Sequence, residues 1–165
     1  MYRVAILTVS DRCSRNERVD TSGPVIKKII EKIKAEVVFY EVIPDEAKVI
    51  KQYIRRLCDQ EKLDLILTTG GTGVSPRDVT PDVTLTLLDR EISGMAEAMR
   101  AASLKKTRYA MISRAVCGIR KSTLIINLPG SPKGAEENLK TIIPTISHSI
   151  DKIKGDQSEC GKPRK

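Results

Sequence analysis

The stretch LDLILTTGGTGVSPRDVTPD, residues 63 to 82, changes character twice within twenty residues, and the fold can be read from those changes. Leu65-Ile66-Leu67 is a short apolar run without polar alternation, closed by glycines, which predicts a strand buried on both faces over 63 to 69 (LDLILTT). Three glycines follow. Beyond them Thr80-Pro81-Asp82 has the form of a helix start, with Thr80 as N-cap, proline at the first helical position and an acid facing the positive helix end. Strand, bare loop, helix is the repeating unit of an α/β domain.

The same unit recurs on either side. Upstream, VAILTV (4 to 9) predicts a first strand, and Gly23-Pro24 opens a helix whose Val25, Ile26, Ile29, Ile30 and Ile33 share one face. A second strand, VVFYEVI (37 to 43), ends at Pro44-Asp45. Val49, Ile50, Tyr53, Ile54, Leu57 and Cys58 mark the next helix. Downstream, a helix is expected over Ser93 to Leu104, then two strands at YAMISRAV (109 to 116) and STLIINL (122 to 128) with a turn around Gly118. Ser131-Pro132 starts a long final helix with Leu139, Ile142, Ile143, Ile146, Ile150 and Ile153 as its buried stripe. The expected architecture is a three-layer α/β/α sandwich around a mostly parallel sheet. One domain would cover 1 to 153, and 154 to 165, which lacks apolar periodicity, would form a loose tail.

Composition narrows the function. A chain of 165 residues, 40% apolar and 30% charged, supports one sizeable core. The six-residue apolar run behind Arg3 has no cleavage site and reads as no secretory signal, and no stretch approaches the roughly eighteen apolar residues of a membrane span. A cytoplasmic location is therefore expected. Cys13, Cys58, Cys117 and Cys160 show no CxxC spacing and read as free thiols; His148 is the sole histidine, too little for a histidine metal site or a Ser-His pair. Five basic residues of the +8 net charge excess fall in the last fifteen positions, tryptophan is absent and phenylalanine occurs once. Nucleic acid is thus a poor fit, and a bias toward small anionic ligands a better one.

In open α/β sheets ligands bind beyond the carboxyl ends of the strands, and the chemistry-bearing residues collect there. The first strand delivers Thr8, Ser10 and Asp11, the second Pro44-Asp45, the third the glycine loop, and the last Pro129-Gly130-Ser131-Pro132. Gly70, Gly71 and Gly73 permit close backbone approach, and Thr69 and Thr72 add hydroxyls, an arrangement suited to phosphate oxygens. GGTG matches neither the Walker pattern nor GxGxxG, and a tight strand-to-helix turn explains the glycines equally. Acids at 45 and 78 beside an anion site would repel the ligand unless a divalent cation bridges them; Asp45 alone also reads as a helix N-cap. The combination points to metal-assisted phosphoryl or nucleotidyl transfer.

These blocks resemble the molybdopterin adenylyltransferases of the Mog/MoaB group, which include the G domains of gephyrin and of the plant molybdenum-cofactor protein. Thr69 to Gly73 with Pro76 to Asp82 is similar to the signature of that family; Thr21 to Pro24, Ile43 to Glu46, Ser113-Arg114, Gly118 to Arg120 and Asn127 to Pro132 are similar to its other blocks. The resemblance implies transfer of AMP from ATP to the terminal phosphate of molybdopterin, releasing pyrophosphate, with Mg2+ required and a homotrimeric assembly. It implies that Asp45 and Asp78 are the catalytic, metal-holding acids, and that Ser103 and Ser113 act in substrate handling. The wider expected binding set is Ser10, Asp11, Ser22, Gly23, Thr69, Gly70, Gly71, Thr72, Gly73, Asp82, Arg114, Pro129, Gly130, Ser131 and Pro132. Arg77, Arg114 and Lys121 are further candidates for phosphate or pterin contacts. In the family that the chain resembles, some MoaB-type members that have lost parts of the Arg-Asp-Val-Thr-Pro block are inactive; here the block is whole, so the resemblance implies a working enzyme. The product would pass to a molybdenum-inserting enzyme. Alternative readings are a metal-inserting domain, a non-catalytic pterin-binding or scaffold module, and a nucleic-acid binder.

Overall fold

Strand β1 (Tyr2–Val9) is second from one edge of a six-stranded sheet, paired in parallel on one side with β2 (Ala35–Ile43) and on the other with β3 (Leu65–Thr69). The structure, a computed structural model, describes residues 1–158. The sheet order is β2-β1-β3-β6-β5-β4, where β6 (Thr123–Leu128) is parallel to β3, and β5 (Cys117–Arg120) and the short β4 (Arg90–Glu91) complete an antiparallel edge. The chain leaves β1 toward one edge and crosses back to β3 on the other side of it. That reversal opens a crevice at the carboxyl ends of β1 and β3, where Thr8 pairs with Thr69.

Two apolar layers follow from strand alternation. Val4, Ile6, Leu65, Leu67, Leu124 and Ile126 face α2 (Ser22–Ile30), α5 (Ser93–Leu104) and α6 (Pro132–Ile153). Ala5, Leu7, Ile66 and Ile125 face α3 (Ala47–Asp59) and α4 (Thr80–Leu85). Because β1, β3 and β6 carry apolar residues on both faces, they are buried almost throughout, as a sheet covered on both sides requires. In α6 the stripe Leu139, Ile142, Ile146 and Ile150 is buried, with Ile143 and Ile153 at its margin. The three-layer, mostly parallel architecture expected from the sequence is the one observed.

Three local expectations are corrected. The segment 109 to 116 is no strand: Arg108–Ile112 is a 3-10 turn opened by Thr107, whose hydroxyl accepts from the Tyr109 amide. Its apolar residues Tyr109, Met111 and Ile112 stand 74%, 69% and 51% exposed, so the β-like composition marks a surface turn. The turn between β5 and β6 centres on Lys121, which takes φ +52°, whereas Gly118 lies inside β5, where a side chain would run into Leu88 and the Arg90 carbonyl. Thr80 does not cap α4 but is its first residue; its hydroxyl is buried and has no hydrogen-bond partner among the described residues. The short helix α1 (Asp11–Ser14) and β4 carry too few residues for periodicity to reveal.

Of the expected tail, Lys154 still pairs with Asp64 at 2.6 Å, and residues 159 to 165, Cys160 among them, lie outside the described residues. Cys13, Cys58 and Cys117 are free thiols. Burial pushes the Cys58 and Cys117 thiols up to about 12, which leaves them unreactive at neutral pH. His148 is half-buried on α6. No helix among the described residues is long and apolar enough to cross a membrane.

Candidate active site

The carboxyl ends of four strands are tied into one rim by backbone and hydroxyl bonds. The Ser10 amide donates to the Ile43 carbonyl at 2.8 Å, Gly70 to Leu128 at 3.1 Å, and the Thr69 hydroxyl to the Pro129 carbonyl at 2.6 Å. The Ser22 hydroxyl at the start of α2 donates to the Gly130 carbonyl at 2.7 Å. Segments more than a hundred residues apart are thereby held in fixed relation.

The glycines of the loop are demanded from behind. Gly70 takes φ +106° and Gly71 φ +62°, conformations that side chains disfavour. A β-carbon on Gly70 would strike the Val9 carbonyl; one on Gly71 would strike the Thr80 hydroxyl and lie 3.1 Å from Asp45 Oδ1; one on Gly73 would lie 2.9 Å from Asp78 Oδ2. Each direction points into protein rather than toward a ligand. The absence of side chains lets the loop press against the acids and against β1, while the loop backbone faces the crevice.

Two cavities flank this loop. The first, of about 300 Å³, is lined by Ser10, Ser22, Asp45, Thr69, Gly70, Gly71, Asp78, Gly130 and Ser131, together with Thr8, Arg18, Asp20 and Thr21. The second, of about 270 Å³, is lined by Thr72, Gly73, Ser103, Ser113, Pro129 and Ser131, with Arg100, Thr107, Tyr109, Glu137 and Asn138. Ser131 borders both, and its hydroxyl caps α6 by accepting from the Gly134 amide at 3.1 Å. Here a single helix start, spelled Pro-Gly-Ser-Pro, forms a wall between two sites.

Five of the expected residues line neither cavity: Asp11, Gly23, Asp82, Arg114 and Pro132. Asp11 exchanges bonds with Asp45: the Asp11 amide donates to Asp45 Oδ2 at 2.7 Å, and the Asp45 amide to Asp11 Oδ1 at 3.0 Å. Gly23 lies under the Tyr40 ring, where a side chain would not fit. Pro132 is the first residue of α6, and Asp82 pairs with Arg114 at 2.8 Å. Of the further candidates, Arg77 is committed to Asp11 through a two-pronged contact at 2.9 and 3.0 Å. Lys121 sits at the opposite end of β6, bound to Asp59 at 3.3 Å, which removes it as a phosphate ligand.

Charge in the first cavity is unevenly held. Burial pushes the Asp45 carboxyl up, and the neighbouring Asp11 and Asp78 charges add to this against the Asp11 amide, which holds it down. Asp11 sits below its usual range because the Arg77 guanidinium bonds to it. Asp45 does not cap α3, which starts at Ala47 after Glu46; its carboxylate stands at the rim instead. Asp78 receives the Ser75 amide on Oδ2 at 2.9 Å.

Sequence reasoning missed Asp20. Its carboxylate accepts from the Thr8 hydroxyl at 2.6 Å, the Ser22 amide at 2.9 Å, the Gly23 amide at 3.1 Å and the Tyr40 hydroxyl. Burial raises its pKa and these four donors more than reverse that, leaving it below the usual range, while burial and Asp20 push the Tyr40 hydroxyl up to about 12. An acid two residues ahead of a Ser-Gly-Pro helix start was the available signal.

No group of three or more His, Cys, Asp or Glu among the described residues is arranged to hold a metal by itself. Asp45 and Asp78 nevertheless border one cavity, and the charge of Asp78 raises the cost of ionising Asp45. A pair of hard oxygen donors whose charges repel fits magnesium, which keeps waters and shares substrate phosphate oxygens rather than filling a protein cage. The site can therefore take a polyanion with a divalent cation beside a second, less acidic pocket.

The chain is similar to known proteins of one family. Residues 5–148 match the family model described as a probable molybdopterin binding domain. The chain is 37% identical over 161 residues to the molybdopterin adenylyltransferase of Helicobacter pylori, covering 96% of this chain and 92% of that one. It is 43% identical over 154 residues to the molybdenum cofactor synthesis protein cinnamon of Drosophila melanogaster, covering 93% of this chain but only 26% of cinnamon. The crystal structure of the molybdopterin biosynthesis enzyme MoaB from Thermus thermophilus superposes with a TM-score of 0.90 at 51% identity, over 94% of this chain and 98% of that one. With the family match spanning nearly the whole sheet and both cavities, the chain belongs to the molybdopterin-binding domain family of molybdenum cofactor biosynthesis.

Proposed function

We propose that this protein is a molybdopterin adenylyltransferase: it transfers AMP from ATP to the terminal phosphate of molybdopterin and releases pyrophosphate. The observation that carries this reading is the convergence of Asp45 and Asp78 on one cavity whose wall at Ser131 is shared with a second. Two substrates bound on either side of that wall would meet at it. The pterin phosphate oxygen attacks the α-phosphorus, the bond to pyrophosphate breaks, and no covalent protein intermediate is needed.

ATP is assigned to the acid-bearing cavity and the pterin to the pocket with Ser103, Ser113 and Tyr109. The backbone of Gly70 and Gly71 and the hydroxyls of Ser10 and Ser22 orient the triphosphate. Asp45 and Asp78 would hold magnesium, which when bound would supply positive charge against the departing pyrophosphate. Ser103, which receives a bond from Asn138 at 2.9 Å, and Ser113 supply hydroxyls to the pterin.

The exposed apolar residues Leu104, Tyr109, Met111 and Ile112 support a homotrimer, in which a neighbouring copy would cover part of this surface. A reducing, cytoplasmic setting suits the free thiols. Adenylyl-molybdopterin would then pass to a molybdenum-inserting enzyme. Incubation with ATP, magnesium and molybdopterin, followed by mass detection, should yield the adenylylated pterin and pyrophosphate. Without molybdopterin no pyrophosphate should form, and pterin-independent release would contradict the assignment. Light scattering should give about three times 18.3 kDa, and a monomer at micromolar concentration would count against the trimer.

A further inference from the structure

Arg114 carries a residue type expected at phosphate sites, yet its side chain lines neither cavity. Its nitrogens are spent on the protein. Nε donates to the Gly73 carbonyl at 2.7 Å, Nη1 to both Asp82 oxygens at 2.8 and 2.9 Å, and Nη2 to the Asp78 carbonyl. Its backbone amide donates to the Thr72 carbonyl at 2.9 Å. One residue therefore grips both limbs of the loop between Gly73 and Asp78 and the first turn of α4 at Asp82.

The loop has one other side-chain anchor, the two-pronged contact of Arg77 with Asp11 at 2.9 and 3.0 Å, which holds its outer end and does not reach the second cavity. Residues 74 to 77 are exposed, and the loop's own bonds are the Asp78 amide to the Ser75 carbonyl at 2.9 Å, the Ser75 amide to Asp78 Oδ2 at 2.9 Å and the Arg77 amide to the Ser75 hydroxyl at 3.4 Å. Thr72, Gly73 and the adjoining Ser113 line the second cavity, whereas Asp78 lines the first. The guanidinium bonds both sides, at the Gly73 and Asp78 carbonyls. Its planar fork suits this task, because three separate acceptors in different directions need a rigid multiple donor that lysine cannot mimic.

We propose that Arg114 is a positioning residue that ties the wall of the second cavity to Asp78, so that the acid is held in register only while this clasp is closed. The inference rests on the adenylyltransferase reading for its kinetic consequences, but not for its structural ones. Asp82 belongs to the same device: it anchors the guanidinium from α4 although its own side chain is 58% exposed and outside both cavities.

The test compares Arg114→Lys, Asp82→Asn and the double variant of the full chain. Arg114→Lys is expected to lower kcat on the order of 100-fold, the loss that a misplacement near 1 Å produces. Molybdopterin affinity, measured without ATP, should stay at the wild-type value. Asp82→Asn should lower kcat in the same direction by less, and the double variant should be no slower than Arg114→Lys, the non-additivity of a shared device. Amide hydrogen exchange at Gly73 to Asp78 should quicken in both single variants.

The inference is overturned if Arg114→Lys weakens molybdopterin binding at unchanged kcat while Asp82→Asn is silent, since Arg114 would then be a ligand contact. Unchanged loop exchange in every variant also overturns it. A wild-type protein without any adenylylation would instead refute the proposed function, and the exchange measurement would still decide the clasp.

Discussion

The two cavities on either side of the glycine loop are built differently. The first is lined by acids braced by polar partners: Asp45 is held by Asp11, which Arg77 grips from outside the cavity, and Asp20 lies beneath four donors. The second has a more apolar wall, in which a 3-10 turn carries exposed Tyr109 and Ile112 beside the hydroxyls of Ser103, Thr107 and Ser113, with Arg100 and Glu137 its charged members. Rigid charge placement suits the site where charge must develop, because preorganised groups need not rearrange during reaction. A wall of hydroxyls and apolar faces suits recognition of a ring system, where contact area matters more than exact charge.

That contrast predicts that variants in the first cavity fail in turnover and variants in the second fail in affinity. The largest effect is expected for Asp45→Asn, which should reduce kcat on the order of 100-fold to 1000-fold. The same change should raise the thermal midpoint at neutral pH. Burial and the neighbouring acids hold the Asp45 pKa above its ordinary value, so its favourable contribution is present only at acid pH and is lost as pH rises through the folded pKa. Asparagine removes that cost. A variant that is both inactive and less stable would contradict this electrostatic picture.

Gly70→Ala should come next, through stability rather than chemistry. The added carbon meets the Val9 carbonyl at φ +106°, and a loss of roughly 1–3 kcal/mol or more is expected from denaturant titration. In the second cavity, Ser113→Ala should raise the KM for molybdopterin about 5-fold with kcat nearly unchanged, the value of one hydrogen bond of about 1 kcal/mol. A kcat defect without a KM defect would break the division between the cavities. The smallest effect is expected at Gly94 on α5, where a β-carbon meets nothing within 4 Å. Gly94→Ala should stabilise by about 0.5–1 kcal/mol and leave both kinetic constants alone.

The same contrast governs what could be read before the fold was known. Strands β1, β3 and β6 are buried on both faces, so their apolar runs were unambiguous, and α6 announced itself through Ser131-Pro132 and a regular isoleucine stripe. Strand ends then located Asp45, Asp78 and Ser131 at one rim. The second wall was obscured, since Tyr109, Met111 and Ile112 have strand-forming composition but lie on a turn, and exposure leaves no periodic trace. Thr80 and Asp45 looked like helix caps because cap residues are also acceptors for other partners, and only tertiary geometry decides which they meet. Asp20 was hidden because its donors come from β1, α2 and β2 together. Arg114, expected at a ligand, instead holds backbone carbonyls that carry no side-chain signature.

The central claim is that Asp78 acts by its charge on the phosphate chemistry and not as a turn residue. It is tested most directly by turnover of Asp78→Asn at saturating magnesium, with molybdopterin binding measured on the same preparation. Asparagine keeps an acceptor for the Ser75 amide, so the loop should persist and the pterin should bind as in the wild type, while adenylyl transfer falls on the order of 100-fold to 1000-fold. Turnover near the wild-type rate would contradict the account and leave Asp78 as no more than a bracket for Ser75.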